Sequence, residues 1–224
     1  MDDAPHARGP ACFDDLGTDP KQVADVYDAW GQAYDEDIHV WGYDAPERAT
    51  DLLVAIIDDE TTEIKKMGTV RGTVLDVACG TGLQAKSLRE NGFGPIYGID
   101  ISKELVKAAI ASGRYNDVQI GDLNNPLPYD DNSFNHAMCI GSLTYVDLTK
   151  LPNTFDELCR IVKPNGKVIF TCRSDRNEQC ECVASAMNKW KLLRKLGPLP
   201  YLPKHPAFAS KKVEMFLYAY VVNE

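Results

Sequence analysis

The chain has 224 residues and 24.8 kDa, a length that favours one elaborated domain over two. At 44% hydrophobic and 25% charged residues it can bury about 70% of its unfolded surface without a metal or disulfide staple, so disorder, collagen and coiled coil are excluded for its bulk. The longest apolar runs, 52–57 and 215–222, are far short of the roughly 18 residues of a spanning helix; seven cysteines without a visible secretory signal read as reduced thiols, and a soluble cytoplasmic protein is expected.

Residues 1–19 carry Asp-Asp, Gly-Pro and Asp-Pro pairs and predict a flexible leader. From Pro20, the positions Val23, Val26, Tyr27, Trp30 and Tyr34 recur at helical spacing and predict a helix to about Gly31. A second helix begins near Pro46, with Leu52, Leu53, Ile56 and Ile57 as its buried stripe. Past a polar linker at 58–71, apolar runs at 73–78, 95–100, 118–121, 134–140 and 167–172 alternate with helical stretches at 83–91, 103–112 and 152–163. Ser102 is the expected N-cap of the second stretch and Gly113 its stop; Pro164 and the Asn165-Gly166 turn end the third. Strands apolar throughout and alternating with helices make a parallel sheet covered on both faces, a doubly wound α/β fold. Beyond 173, a helix at 178–188 precedes extended runs at 190–196 and 213–222, separated by prolines. Joined without a helix, these two runs cannot be parallel neighbours, so an antiparallel hairpin on one sheet edge is predicted.

The formal charge of −9 is unevenly spread: residues 1–60 carry −13 and residues 61–224 carry +4. An acidic opening segment repels a phosphate backbone and argues against a nucleic-acid partner; the basic excess at 189–212 reads as a solvated face.

The sharpest signal is VLDVACGTG at 74–82, where a β-rich run turns into a helix. Gly80 and Gly82 let a ligand approach the backbone beside the free N–H groups of the helix start. Asp76 lies near the end of the first strand, where it could receive a cation. Asp100, which ends the second strand in IYGID, stands where a carboxylate can accept both ribose hydroxyls of a nucleoside. Asp122, in IGDLNNPLP, ends the third. Gly80, Gly82 and Ala85 also satisfy the dinucleotide fingerprint, but Asp76 would oppose a pyrophosphate at this turn. A ligand carrying an ammonium and a sulfonium suits carboxylates, and S-adenosylmethionine is such a ligand.

VLDVACGTG, YGIDIS, IGDLNNPLP and LCRIVKPNGKVIF resemble, in order and spacing over 72–172, the motifs of class I S-adenosylmethionine-dependent methyltransferases. YDAWGQAYDEDI and PYLPKH resemble the methyltransferase-like group named after the Williams-Beuren syndrome chromosome region. The resemblance implies a mostly parallel, seven-stranded Rossmann-like sheet with an antiparallel C-terminal hairpin. It also implies a single methyltransferase domain over 20–224, made of a helical lid at 20–71, a cofactor core at 72–172, and a helix and hairpin at 173–224. In that family pattern Asp76 helps order the methionine amino group, while Gly80, Thr81 and Gly82 pass beneath the methionine part. Asp100 binds the ribose diol and Ile101 packs on adenine. Asp122 and the Leu123 amide read the adenine edge, and backbone near Ile140 completes the amino-group site. Tyr27, Trp30 and Tyr34 form a lid over the cofactor. Ala78 stands where many members have glycine, and Asn135 where aspartate is usual.

The implied reaction is in-line methyl transfer to a small molecule or protein side chain, leaving S-adenosylhomocysteine; it asks the protein chiefly for positioning and exclusion of water. His39, beside Asp37 and Trp41, and Tyr145, after the fourth strand, are candidate acceptor contacts. His136, inside an apolar strand, reads as core, and no catalytic residue is assigned. Cys79 has no histidine nearby in sequence and reads as structural; Cys180 and Cys182 lack a partner pair at zinc spacing, and no metal is expected. Two alternatives stay open. A nicotinamide-dependent oxidoreductase of similar architecture is opposed by the absence of a Tyr-x-x-x-Lys arrangement and of a second domain. A non-catalytic module that binds adenosylmethionine would look the same in sequence.

Overall fold

The computed structural model describes residues 16–60 and 71–224. Helix α1 (Pro20–Trp30) starts with its proline in the first turn and Asp19 as N-cap, the carboxylate accepting Gln22 N–H. A single 3-10 turn (Gly31–Ala33) leads into α2 (Tyr34–Val40), and α3 (Ala45–Glu60) buries Leu52, Leu53 and Ile56. The core then alternates β1 (Val74–Val77), α4 (Leu83–Glu90), β2 (Ile96–Asp100), α5 (Lys103–Ala111), β3 (Asp117–Ile120), β4 (Phe134–Cys139), α6 (Leu151–Ile161) and β5 (Val162–Arg173). Helix α7 (Asn177–Ala186), β6 (Trp190–Pro200), α8 (Pro206–Lys211) and β7 (Glu214–Val222) complete the chain.

The seven strands form one sheet in the order β3-β2-β1-β4-β5-β7-β6. β1 to β5 run parallel, and β7 lies antiparallel between β5 and β6. Period-2 alternation divides the side chains between two core faces. Val168, Phe170, Tyr218 and Tyr220 pack on one side with Phe155 and Trp190; Ile169, Leu217 and Ala219 pack on the other with Leu53 and Leu88. This is the expected doubly wound α/β fold, with helices on both faces and an antiparallel C-terminal pair.

Three expectations need correction. The aromatic stretch after Gly31 is a second helix, α2, because Gly31 at φ +47 breaks the axis and the acidic Asp35, Glu36 and Asp37 then favour a new helix start. The connection between the last two strands contains a helix: Pro206 opens α8 with His205 as N-cap, its ring accepting Ala207 N–H. Pro164, Asn165 and Gly166 do not separate a helix from a strand; β5 already begins at Val162, and Asn165 at φ +65 accompanies a register shift against β4. Residues 1–15 of the expected 1–19 leader and most of the linker lie outside the described residues, whereas at the end of that leader Leu16 is packed with Val23 and Trp30 and Asp19 caps α1.

Candidate functional site

The direction of strand progression reverses at β1, which pairs with β2 on one side and β4 on the other. At such a switch point the flanking loops part and leave a crevice at the carboxyl strand ends. Here the crevice is a cleft of about 700 Å3, counting the solvent at its mouth, within the range of small-molecule sites. It is lined by Ala78 and Gly80 from the first turn, Ile99 to Ile101 at the end of β2, and Gly121 to Asn124 after β3. The loop after β4 adds Gly141, Ser142, Tyr145 and Val146, and α1 and α2 cover it with Val23, Tyr27 and Tyr34.

The turn after β1 is built from left-handed residues: Ala78 at φ +56, Gly80 at +54 and Gly82 at +97. A Cβ on Gly80 would meet nothing within 4 Å, so that glycine serves its φ and leaves open space above the turn. Ala78 takes the conformation that a glycine adopts without strain. On the other side the Tyr115 ring fills the room behind the turn, 2.8 Å from where a Gly82 Cβ would be and 3.1 Å from one on Gly98.

Asp100 is 7% exposed and is the hub of the site. Its Oδ2 accepts Gly80 N–H at 2.8 Å and its Oδ1 accepts Ser102 N–H at 2.8 Å. Burial pushes its carboxyl up from the ordinary value, against the pull of the Ser102, Gly80 and Ile101 amides. Asp122 is gathered into its own loop, accepting Asn124 N–H and the Asn124 and Asn125 side-chain amides at 2.8 to 2.9 Å. Asp76 is placed differently from Asp100 and Asp122: at 2% exposed it lies behind the turn, not on the cleft wall, and accepts the Tyr115 hydroxyl at 2.6 Å. Burial pushes its carboxyl up to about 7, with the Asp100 charge adding and the Tyr115 bond opposing. Cys79 donates weakly to Gly80 O, and burial beside Asp76 and Asp100 pushes its thiol far up, which leaves no nucleophilic thiolate.

Of the aromatic lid residues, Tyr27 and Tyr34 line the cleft, whereas Trp30 is buried behind them. Its indole N–H donates to Asp37 at 2.8 Å and its ring lies 4.8 Å from Tyr34 and 5.5 Å from Trp41. Thr81 turns its hydroxyl to Asp35 of the lid. Ile140 packs its side chain into the core, and its neighbour Gly141, whose N–H donates to Thr171 Oγ1, takes the cleft wall. Tyr145 is brought to the cleft; His39 is exposed on α2 and does not line it. His136 is buried, its Nδ1 accepting Lys167 N–H, and burial holds its ring down at about 4. Sequence reasoning missed Pro20, Val23, Leu105, Ser142 and Val146; being ordinary apolar or small residues in α1, the start of α5 and the loop after β4, they carry no signal that a single sequence could reveal.

One residue without a motif matters for the lid. Asp28 of α1 accepts the Ser102 hydroxyl at 2.6 Å and Glu104 N–H at 3.1 Å, so α1 is tied to the start of α5. Burial opposes its ionisation, but these donors prevail and hold its carboxyl below the ordinary value. Losing one such charge-assisted contact costs about 1.5 to 3 kcal/mol. Asp28→Ala is therefore expected to speed release of a ligand held under the lid by roughly tenfold or more in a stopped-flow displacement trace; an unchanged release rate would remove that role.

Residues 75–170 match the family model described as a methyltransferase domain. The chain is 33% identical over 158 residues to human methyltransferase-like protein 27, covering 70% of this chain and 60% of that protein. It is 36% identical over 118 residues to a demethylmenaquinone methyltransferase of Oceanobacillus iheyensis, covering 47% of each. The chain thus spans roughly half of the length of these curated relatives. Among solved structures, an S-adenosylmethionine-dependent methyltransferase from Methanosarcina mazei superimposes with a TM-score of 0.56 at 15% identity, over 75% of this chain and 97% of that one, a likeness of fold. Among the described residues no helix is long and apolar enough to cross a membrane.

Proposed function

We propose that the chain is a class I S-adenosylmethionine-dependent methyltransferase that moves a methyl group from adenosylmethionine to a small-molecule or protein acceptor, a reading supported by the methyltransferase-domain match over residues 75–170 and by the similarity to methyltransferase-like protein 27. When bound, adenosylmethionine supplies an electrophilic methyl on its sulfonium. The observation that carries the reading is the chemistry of the cleft: its charged lining residues are the carboxylates of Asp100 and Asp122, and the donors of the first turn already face carboxylates, Gly80 N–H at Asp100 and the Thr81 hydroxyl at Asp35. A nucleoside with a cationic tail fits there. A pyrophosphate would meet the same negative charges, which disfavours the nicotinamide reading.

In this reading the remaining lone pairs of Asp100 accept the ribose hydroxyls, Ile101 and Leu105 pack on the adenine, and the Asp122–Leu123 loop takes the adenine edge. Gly80 leaves room for the methionine part, Asp76 biases the turn toward a cation from behind, and the wall at Ile140 and Gly141 borders the amino group. Tyr27 and Tyr34, with Trp30 as their backing, exclude water above, in a lid supplied by the 20–71 segment. The core at 72–172 and the helix and hairpin at 173–224 complete a single domain. The cell compartment proposed is the cytoplasm.

Thermal unfolding with S-adenosylhomocysteine, with NADH, and with neither tests this. Ligand at about 100 times its dissociation constant adds about 2.7 kcal/mol, which raises the melting point of a chain this size by roughly 5 to 10 °C. A rise with adenosylhomocysteine alone is expected; a rise with NADH alone would overturn the proposal.

A further inference from the structure

The cleft has a second chemical character beyond its carboxylates: its described wall carries no histidine, lysine, arginine or cysteine, and the carboxylates of Asp100 and Asp122 are held by the turn and by their own loop. The described histidines are elsewhere. His39 is exposed on α2, His136 accepts Lys167 N–H, and His205 accepts Ala207 N–H with its ring against Trp41 and Phe208. What stands over the cleft is tyrosine. Tyr27 lies 5.9 Å from Tyr145, edge-on, and 6.1 Å from Tyr34, and all three line the wall. The Tyr43 hydroxyl is buried, has no hydrogen-bond partner, and sits 2.6 Å from where a Cβ of the cleft-lining Gly141 would be. Burial pushes the Tyr27, Tyr34 and Tyr43 hydroxyls far up, so they remain neutral and cannot serve as bases. A cation does approach Tyr145 and Tyr201, that of Arg173, but its guanidinium is paired with Asp175, Nε to Oδ1 at 2.8 Å, and lies over the Phe208 ring.

We propose that this tyrosine-walled part of the cleft, whose described lining offers no histidine, takes a small uncharged amine, and that the acceptor atom is its nitrogen. The inference rests on the methyltransferase reading and deepens it. A phenol or alcohol would need a base to remove its proton, and a carboxylate would be repelled by Asp100 and Asp122 with no cationic side chain among the described lining residues to meet it. An amine needs neither once it is uncharged: its ammonium form leaves a proton in water before entering, its lone pair then forms the N–CH3 bond as the C–S bond breaks, and sulfur keeps the bonding pair and becomes the thioether of adenosylhomocysteine. The positive charge passes to nitrogen, beside aromatic rings that attract ammonium ions. A secondary amine then gives its extra proton to water, whereas a tertiary amine gives up none. The acceptor must be small, because α1 covers the cleft and is tied to the start of α5 through Asp28.

The test uses the full chain saturated with adenosylhomocysteine, with calorimetry to verify that binding first. Benzyltrimethylammonium, a mimic of the product charge, is titrated against its neutral isostere 2,2-dimethylpropylbenzene, 4-methylphenol and phenylacetate, with tyrosine fluorescence as readout. The ammonium is expected to bind at least about fivefold more tightly than the other three. Tyr145→Leu is expected to lose that margin, and Tyr145→Phe, which keeps the ring, to retain it. Equal binding of the isostere, tighter binding of phenol or carboxylate, or a margin that survives Tyr145→Leu with adenosylhomocysteine still bound would overturn the inference and leave the methyltransferase reading standing. Failure of adenosylhomocysteine to bind at all would remove both.

Discussion

Asp100→Ala is expected to reduce adenosylhomocysteine affinity by roughly 100-fold and to lower the melting point as well. The two effects have separate origins in one carboxylate. Each ribose hydroxyl that donates to it forms a charge-assisted bond worth about 1.5 to 3 kcal/mol, so loss of two gives a factor between roughly 10^2 and 10^4 in affinity, with the lower end expected where water enters the vacated space. The same oxygens already hold Gly80 N–H and Ser102 N–H at 2.8 Å in a position 7% exposed. Alanine orphans both donors, at about 1 to 3 kcal/mol each, and frees a turn whose residues sit at positive φ. A drop in melting point of roughly 4 °C or more should accompany the affinity loss. Calorimetric titration and thermal melts of the same preparation check both. A variant that bound normally would sink the ribose assignment, and one that bound poorly with an unchanged melting point would show that the turn does not depend on this carboxylate.

That dual burden was not legible in the amino-acid sequence, from which a strand-end carboxylate looks like a ligand contact that contributes little packing. What was legible follows from periodicity and punctuation. Ser102, Gly113 and Pro20 mark helix ends because their backbone chemistry is local, and Ser102 does cap α5, its hydroxyl accepting Leu105 N–H. Continuous apolar strands announced a two-sided sheet because burial on both faces leaves no polar register. The two missed helices share one cause. α2 and α8 are short helices, of seven and six residues, whose stability comes from tertiary packing more than from propensity. Trp41, His205 and Phe208 join far-separated segments into the lid's own core, and no window of sequence contains that contact. The site shows the same division. Asp100 and Asp122 occupy strand ends and are found by counting from Gly80. The positions of Asp76 behind the turn and of Asp28 against the start of α5 depend on Tyr115 and Ser102, partners 39 and 74 residues away.

Asp76 carries the second large effect, and its sign is opposite to that of an ordinary buried carboxylate pair. Its folded-state value near 7 lies above the unfolded value of about 3.9. The folded chain therefore holds a proton that the unfolded chain releases, and stability is greatest below about pH 4, declines as pH rises to about 7, and levels off above. Three units correspond to about 4 kcal/mol at most. Asp76→Asn removes the ionisable group while its Oδ1 can still accept the Tyr115 hydroxyl; its new buried N–H groups cost about 1 to 3 kcal/mol, so a net gain of about 2 kcal/mol at pH 8 remains, roughly 4 to 8 °C in melting point. The same substitution deletes a negative charge directly beneath the glycine turn. Over about 8 Å, at an effective dielectric of about 20, that charge is worth about 2 kcal/mol to a cation above the turn, or roughly a 30-fold loss in adenosylhomocysteine affinity. Melts of both proteins from pH 4 to 8 should show the wild-type slope vanish in the variant. Persistence of the slope would place the titration on another group, and a stabilised variant with undiminished affinity would mean that the buried charge serves no ligand and that the tail of adenosylmethionine is held by the cleft wall alone.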